Sequence, residues 1–310
     1  MKILVTGGAG FIGSHIADRL LAAGHEVTVL DNLSTGHREN VPAGARLVEM
    51  DLRSDEAVQH VLGEGYQALV HEAAQVDVRR SVADPAFDAD VNVRGLVQVV
   101  EAARRGGQLQ QILFASSGGA IYGEQDVFPA SEDHAIRPES PYGVAKRCGE
   151  LYLEWFQRCC GIPVAMLRYA NVYGPRQDPM GEAGVVAIFA ARLLAGAPCT
   201  IYGDGGQTRD FVFVGDVAEA NMQALQRGVR GAINVGTGVE TSVNELYHHM
   251  ARLAGVEGRA QHDTARPGEQ RRSVISPARC RAMLGFVPST PLEQGLAATL
   301  EHFRAAARAG

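Results

Sequence analysis

The chain lacks any apolar run of about 18 residues, the length a helix needs to cross a bilayer, so no membrane span is expected. It also lacks a basic segment followed by an apolar stretch near Met1. No secretory leader is expected, and the expected compartment is the cytoplasm. Positive charge is not in excess: 29 Lys and Arg stand against 35 Asp and Glu, a formal net charge of −6. That balance speaks against a nucleic-acid or anionic-membrane partner and leaves room only for a local basic pocket. The five cysteines (Cys148, Cys159, Cys160, Cys199, Cys280) are odd in number and show no C-x-x-C spacing. They read as reduced thiols rather than metal ligands or a disulfide framework, and no metal is expected. There is no internal repeat and no low-complexity segment. What is present is ordinary for a globular protein: 310 residues, 46 % hydrophobic and 21 % charged, enough for one large or two unequal domains around a substantial core.

The chain is organised around its first thirteen residues. Ile3 to Val5 is long enough for one buried strand; it breaks on Thr6-Gly7-Gly8. From Phe11 an amphipathic pattern (Phe11, Ile12, Ile16, Leu20, Leu21) reads as a helix ending at Gly24. Gly7, Gly10 and Gly13 therefore lie on a strand–turn–helix: Gly7 for the tight turn, Gly10 for close approach of a pyrophosphate, Gly13 for helix–strand packing. The pyrophosphate would rest on the helix N-terminus, where unpaired N–H groups and the positive dipole end converge. A second strand, Val27–Leu30, ends on Asp31, eighteen residues after Gly13. A carboxylate there accepts hydrogen bonds from a ribose 2′-OH and repels a 2′-phosphate, which predicts NAD rather than NADP.

Further along, Asn32-Leu-Ser34-Thr-Gly36 is a polar turn suited to the adenosine end. Strands are expected at Arg46–Met50, which runs into Asp51-Leu52, at Gln67–His71, at Gln111–Ala115 and at Val164–Arg168. Small residues after His71 (Ala73, Ala74, then Gln75) leave room at the carboxyl edge of a parallel sheet, where open α/β folds bind ligands. Asp84-Pro85 reads as a cap and first helical residue, and the helix runs to about Arg105 with an apolar surface wider than one stripe. Beyond Arg168 the alternation weakens. The sequence suggests a helix over Gly184–Leu194, a strand at Cys199–Tyr202, a strand over Arg209–Val214, a helix capped by Asp216 and ending near Arg227, a last sheet strand at Ala232–Val235, a helix at Val243–Ala254 and a closing helix from Leu292. The fold class is α/β, a doubly wound parallel sheet of Rossmann type with a smaller C-terminal substrate-binding portion. Residues 1–172 form the nucleotide domain, its sheet completed by about 208–238; 173–207 and 239–310 form the rest.

The chemistry is expected at Tyr142-Gly-Val-Ala-Lys146, where Ser140 and Pro141 start a helix continuing to about Cys160. Residues four apart share a helix face, so Tyr142 and Lys146 point the same way. A free tyrosine, with a pKa of about 10, is a poor base at neutral pH. An ammonium one turn away, and the positive charge of an oxidised nicotinamide, both favour its phenolate. The loop Ser116-Ser117-Gly118-Gly119 lies upstream at a sheet edge. Arg266, Arg271 and Arg272 form a cluster that is either solvated or directed at phosphates.

Together these motifs resemble the extended short-chain dehydrogenase/reductases: the glycine stretch, Asp31-Asn-Leu33, Ser116-Ser117, Tyr142-x-x-x-Lys146, Leu167–Arg176 and Thr208–Phe211. The match spans essentially the whole chain and lies closest to the nucleotide-sugar 4-epimerases that act on UDP-glucose and UDP-galactose. The resemblance implies that Tyr142 removes the proton of the sugar 4-hydroxyl while the C4 hydride passes to NAD⁺, that the 4-keto sugar turns over, and that the hydride returns to its other face. Lys146 would tune Tyr142 and hold the nicotinamide ribose. Gly7, Gly10, Phe11, Ile12, Gly13, Asp31, Asn32, Ser34, Gly36, Asp51, Leu52, Ala73, Ala74, Gln75, Asn92 and Tyr169 would contact NAD. Asn171, Arg209 and Arg266 would grip the UDP phosphates, Thr200 to Tyr202 would face uracil, and Glu269 the uridine ribose. Helices 85–105 and 142–160 would pair across a two-fold axis as a homodimer.

One departure stands out. The family carries Ser or Thr five residues before the glycine of its V-Y-G; counted back from Gly123, that position is Gly118. On this count Ser117 reaches the sugar O4 only if the loop shifts, leaving a roomier pocket at Gly118 that would admit N-acetylated or carboxylated sugars such as UDP-N-acetylglucosamine or UDP-glucuronate. A nucleotide-sugar 4,6-dehydratase or decarboxylase would need an acid where Gly119-Ala120 stand. A reductase that releases NAD(P)H and a non-enzymatic NAD sensor remain as further alternatives.

Overall fold

The computed structural model describes residues 1–180, 184–257, 260–265 and 270–309. Strand and helix alternate from the start: β1 (Lys2–Thr6), α1 (Phe11–Ala22), β2 (Glu26–Asp31), β3 (Arg46–Glu49), α2 (Asp55–Glu64), β4 (Ala68–His71) and α3 (Val78–Ala83). Next come α4 (Pro85–Ala89) and α5 (Leu96–Arg105), joined by a π-helical turn over Asp90–Gly95. β5 (Gln111–Ser117), the single-turn α6 (Gly118–Ile121), α7 (Pro141–Cys160), β6 (Val164–Tyr169) and β7 (Asn171–Tyr173) follow. The remainder contains α8 (Val185–Leu194), β8 (Thr200–Tyr202), β9 (Thr208–Arg209), β10 (Phe211–Phe213), α9 (Val214–Arg227), β11 (Gly231–Val235), β12 (Thr241–Ser242), α10 (Val243–Ala254), β13 (Gln261–Asp263), β14 (Arg272–Ser273), α11 (Ala278–Leu284) and α12 (Leu292–Ala309).

Seven parallel strands form the main sheet in the order β11-β6-β5-β4-β1-β2-β3. Side chains alternate across a strand, so β1 divides its residues between two cores. Ile3 and Val5 join α1 and α9 through Ile16, Leu20, Val217 and Met222 on one face. Leu4 joins α2, α5 and α7 through Val61, Leu96, Leu153 and Phe156 on the other. Both faces are covered, as a parallel sheet requires. A third core, among Tyr173, Phe189, Ile201, Tyr247, Met250, Leu296 and Leu300, holds the C-terminal portion together. The order reverses between β1 and β4, so the glycine turn after β1 and the loop after β4 open onto a switch-point crevice.

Local signals account for the helix starts. Asp84 accepts from Phe87 N with Pro85 in the first turn, and Ser140 accepts from Gly143 N ahead of Pro141. Ser242 and Glu245 complete a capping box for α10. α7 ends at Gly161, left-handed at φ 75°.

Two expectations require correction. The strand expected over Arg209–Val214 is interrupted at Asp210, whose buried carboxylate accepts from Thr237 N, Thr237 Oγ1 and Gly238 N. β9 therefore pairs with β12 and β14, while β10 pairs with β7, and from the 208–238 stretch only β11 joins the main sheet. Nor does Asp216 cap α9. Phe213 occupies the cap position; Asp216 lies in the first turn and accepts from Ser289 N and Thr290 N, tying down the segment before α12.

Candidate functional site

The crevice is a single cavity of about 470 Å³ running from Met50 and Leu52 past the glycine turn to Tyr142, Asn171 and Gln177. Each glycine of the turn meets a different demand. Gly7 is left-handed at φ 69°, and a Cβ there would stand 2.6 Å from Ala73 N. A Cβ on Gly13 would lie 2.3 Å from Gly7 O, so only glycine lets α1 approach the turn. Gly10 is the N-cap of α1 and no side chain caps it, so the first-turn N–H groups and the helix dipole face the cavity. This donor set fits a pyrophosphate.

Asp31, at the end of β2, accepts from Ala9 N at 3.0 Å and Leu33 N at 2.9 Å, which fixes an acceptor at the cavity wall. Burial raises its pKa, and these two N–H bonds oppose that. A buried acceptor held this way fits a ribose diol and disfavours a phosphate. The residues of the cavity thus fit a dinucleotide of NAD type.

Of the expected cofactor contacts, Gly7, Gly10, Phe11, Ile12, Gly13, Asp31, Asn32, Ser34, Gly36, Leu52, Ala73, Ala74, Tyr142 and Tyr169 line the cavity. Four stand behind its wall. The Asp51 carboxylate is turned to Arg53, whose guanidinium holds it well below the usual carboxylate range, and it also accepts from Asn32 Nδ2 at 3.1 Å. Gln75 and Asn92 clamp each other: Gln75 N donates to Asn92 Oδ1 and Asn92 Nδ2 donates to Gln75 O, both at 2.9 Å. Both side-chain amides also donate to Asp88 Oδ1, so they fasten the loop after β4 to the α4–α5 rod. Lys146 is buried beneath Tyr142, and its Nζ donates to Ala115 O at 2.8 Å while lying 5.7 Å from the Tyr142 ring centroid.

Ser117 ends β5; its hydroxyl accepts from Ala120 N at the start of α6, and the residue lines the same cavity as the Tyr142 phenol, whose pKa it lowers. Ser117 and Tyr142 stand on the same cavity wall. Gly118 faces elsewhere: a Cβ there would stand 2.8 Å from Ile275 Cδ1, in a small core with Ile121, Tyr122 and Ala130. The roomier pocket expected at Gly118 therefore does not arise there. The bare position facing Asn171 is Gly119, whose Cβ would lie 3.9 Å from Asn171 Oδ1. Burial pushes the Tyr142 phenol above its ordinary value; the neighbouring Ser117 hydroxyl lowers it, and the Asp88 and Glu72 carboxylates raise it further.

Among the expected substrate contacts that are described, Asn171 alone lines the cavity; Thr200 and Tyr202 lie on β8, and Arg209 on β9 donates to Thr208 O at 2.8 Å. Arg266 and Glu269 lie outside the described residues. Arg271 and Arg272 are ion-paired with Asp204 and Glu240, so the rest of the arginine cluster is engaged within the protein. Arg176 and Glu72 are among the cavity residues that the sequence does not single out as site residues. Arg176, non-glycine yet left-handed at φ 68°, lines the cavity while paired with Asp18 of α1 at 2.7 Å. Glu72 lines it where β4 ends, and the signal was a lone acid placed directly after a central parallel strand.

The model of the NAD dependent epimerase/dehydratase family matches residues 3–236 of this chain. A putative UDP-glucose 4-epimerase of Methanocaldococcus jannaschii is 46 % identical over 294 residues, 95 % of each chain. The crystal structure of UDP-glucose 4-epimerase from Thermotoga maritima, with UDP-glucose, superposes with a TM-score of 0.96 at 43 % identity over 99 % of this chain and 100 % of that one. The enzyme of the same name from Thermus thermophilus, in complex with NAD, gives 0.93 at 47 % identity with the same coverage.

Proposed function

The chain belongs to the NAD dependent epimerase/dehydratase family, and from that premise we propose that it inverts C4 of a UDP-hexose, interconverting UDP-glucose and UDP-galactose. When bound, NAD accepts a hydride from C4 and returns it, so the sugar passes through a 4-keto form without net oxidation. The remaining work falls to the protein. Tyr142 takes the proton of the 4-hydroxyl and gives it back; Ser117, on the same cavity wall, orients the phenol and the sugar O4. Lys146 places an ammonium under the Tyr142 ring and favours the phenolate once the cofactor's positive charge offsets the burial. The observation that carries this reading is the meeting of Ser117, Tyr142 and buried Lys146 at one end of a cavity whose other end is a dinucleotide cradle.

Asn171, Arg209 and Arg266 are assigned to the UDP phosphates, Thr200 to Tyr202 to uracil, and Glu269 to the uridine ribose, with residues 173–207 and 239–310 as the nucleotide-sugar portion. Tyr142 and Lys146 argue against a mere NAD sensor, and the absence of an acid at Gly119-Ala120 argues against a dehydratase. UDP-N-acetylglucosamine and UDP-glucuronate are the alternative substrates.

We also infer a homodimer through α4–α5 and α7. Val97, Cys148, Leu151, Tyr152, Trp155 and Phe156 line an apolar depression, in which Leu151, Tyr152 and Trp155 are each nearly half exposed. No helix among the described residues is long and apolar enough to cross a membrane, and the five cysteines are free, which agrees with a cytoplasmic location.

The purified protein incubated with UDP-glucose, UDP-N-acetylglucosamine and UDP-glucuronate separately, without added cofactor, tests the reading by proton NMR at C4. Appearance of the C4 epimer supports it, and relative rates rank the sugars. A 4-keto-6-deoxy or pentose product overturns it.

A further inference from the structure

At the carboxyl end of β4 the chain places an acid that none of the roles above uses. Glu72 Oε1 accepts from Tyr169 OH at 2.9 Å, and Tyr169 OH in turn accepts from Asn221 Nδ2 at 2.8 Å. This fixes the carboxyl on the cavity wall; His71 lies opposite Phe114 in the β4–β5 pairing, so Glu72 follows beside Ala115, whose carbonyl receives Lys146 Nζ. Lys146 is 4 % exposed, and its one hydrogen bond described here goes to a carbonyl, Ala115 O, which carries no full charge. A buried ammonium needs a compensating anion or it gives up its proton.

Three carboxylates face it: Glu72 from the end of β4, Asp88 from α4 and Glu150 from its own helix. Glu150 is already committed, holding Arg168 through two bonds of 2.8 and 2.9 Å and Arg147 at 2.9 Å. Asp88 accepts the amides of Gln75 and Asn92 through Oδ1 while its Oδ2 has no partner, and its pull on Lys146 is second to that of Glu72. Among the described residues, Glu72 has a neutral phenol as its hydrogen-bond partner, and Lys146 is the cation that acts on it. Resting on the proposed reaction, we propose that Glu72 is the counter-charge of Lys146: a positioning residue that keeps the lysine charged and, acting through it and on Tyr142, sets the pH window of proton transfer.

The directions of ionisation agree. Burial pushes Glu72 up and Lys146 down, and each is pulled back by the other's charge. Removing the Glu72 charge therefore has two effects of the same sign on the pH axis. Tyr142 loses a neighbouring anion that raises its pKa and ionises at lower pH, which moves the acidic limb of turnover down. Lys146 loses an anion that raises its pKa and discharges at lower pH, which moves the alkaline limb down. The window slides as a whole; a purely structural defect would lower its height or the melting temperature and leave its position alone.

The experiment compares the cofactor-loaded wild type with Glu72→Gln, Glu72→Leu and Glu72→Asp. Both limbs of the kcat–pH profile are expected to move to lower pH by roughly one unit in Gln and Leu. In Asp, which keeps the charge, they are expected to stay within a few tenths of wild type. A second readout needs no turnover: ultraviolet titration of the tyrosinate band, with the Tyr142→Phe protein as background, should show Tyr142 ionising at lower pH in Glu72→Gln. If wild type shows no epimerisation, the proposed reaction fails while this titration still decides the role of Glu72. Unmoved limbs and an unmoved tyrosinate midpoint in Gln overturn the proposal, as does a displacement in Asp as large as that in Gln.

Discussion

Gly118 and Ile275 fit so closely that a Cβ on the glycine would come within 2.8 Å of the isoleucine Cδ1. The residue after β5 is therefore a packing position, while the hydroxyl one residue earlier, on Ser117, meets Tyr142. Restoring a serine at 118 should overpack this core and lower stability by about 1–3 kcal/mol without raising turnover. Ser117→Ala, by contrast, should keep the melting temperature and lose on the order of 100-fold in kcat. Thermal melts and C4 epimerisation rates check both; an unchanged rate in Ser117→Ala removes that serine from the mechanism.

Tyr142→Phe removes the acid–base hydroxyl but little volume. The expected loss in kcat is about 10²–10⁴-fold. Binding of NAD, measured by calorimetry, should change by less than about tenfold, because the glycine turn and Asp31 stand at the other end of the cavity. Comparable losses in both quantities would mean that the substitution had collapsed the site.

Much of this architecture was legible because the signals are local. α7 is announced by Ser140-Pro141 and α10 by Ser242 with Glu245, and the alternation of Ile3, Leu4 and Val5 fits a strand covered on both faces. α2 carried a signal too, Ser54 capping Ala57 N, but its ten residues offer a short apolar stripe that the sequence reading passed over. Directions and long-range meetings were not legible. Counting places Gly118 at the family's hydroxyl position, yet the turn from β5 into α6 decides that Ser117 faces Tyr142. Glu72 comes near Lys146 because β4 pairs with β5, to whose Ala115 carbonyl the lysine is bonded, which no spacing along the chain encodes. Asp210 interrupts a good strand pattern because its carboxylate serves the Thr237-Gly238 turn.

His71 gives stability a pH dependence of determinate sign. It is fully buried, bonded through Nδ1 to Thr6 Oγ1 at 2.9 Å and stacked on Phe114, and burial pushes its pKa down to about 3. The unfolded chain takes up the proton near pH 6.5, whereas the folded one resists until about 3. Between those values the unfolded state binds more protons, so stability falls with falling pH by up to about 1.4 kcal/mol per unit from this group. In denaturant titrations from pH 7 to 4, His71→Leu should start less stable and show a flatter decline. An equally steep slope in the variant would assign the acid sensitivity to other groups.

The apolar depression on α7 leads to a prediction about assembly. Trp155 and Tyr152 expose nearly half their surface beside Leu151 and Val97, on a face that also carries Arg147 and Glu154 ion-paired at 3.0 Å. Two copies related by a two-fold axis would bring the same aromatic patch against itself, so a charge placed there is repeated in both subunits and buried without a partner. Trp155→Arg is accordingly expected to convert a sedimenting dimer of about twice 33.1 kDa into a monomer. Its helical circular dichroism should be retained, because the inner face of α7, Leu153 and Phe156, is untouched. A wild type that already sediments as a monomer at micromolar concentration would refute the dimer, and a variant that stays dimeric would move the interface to another face.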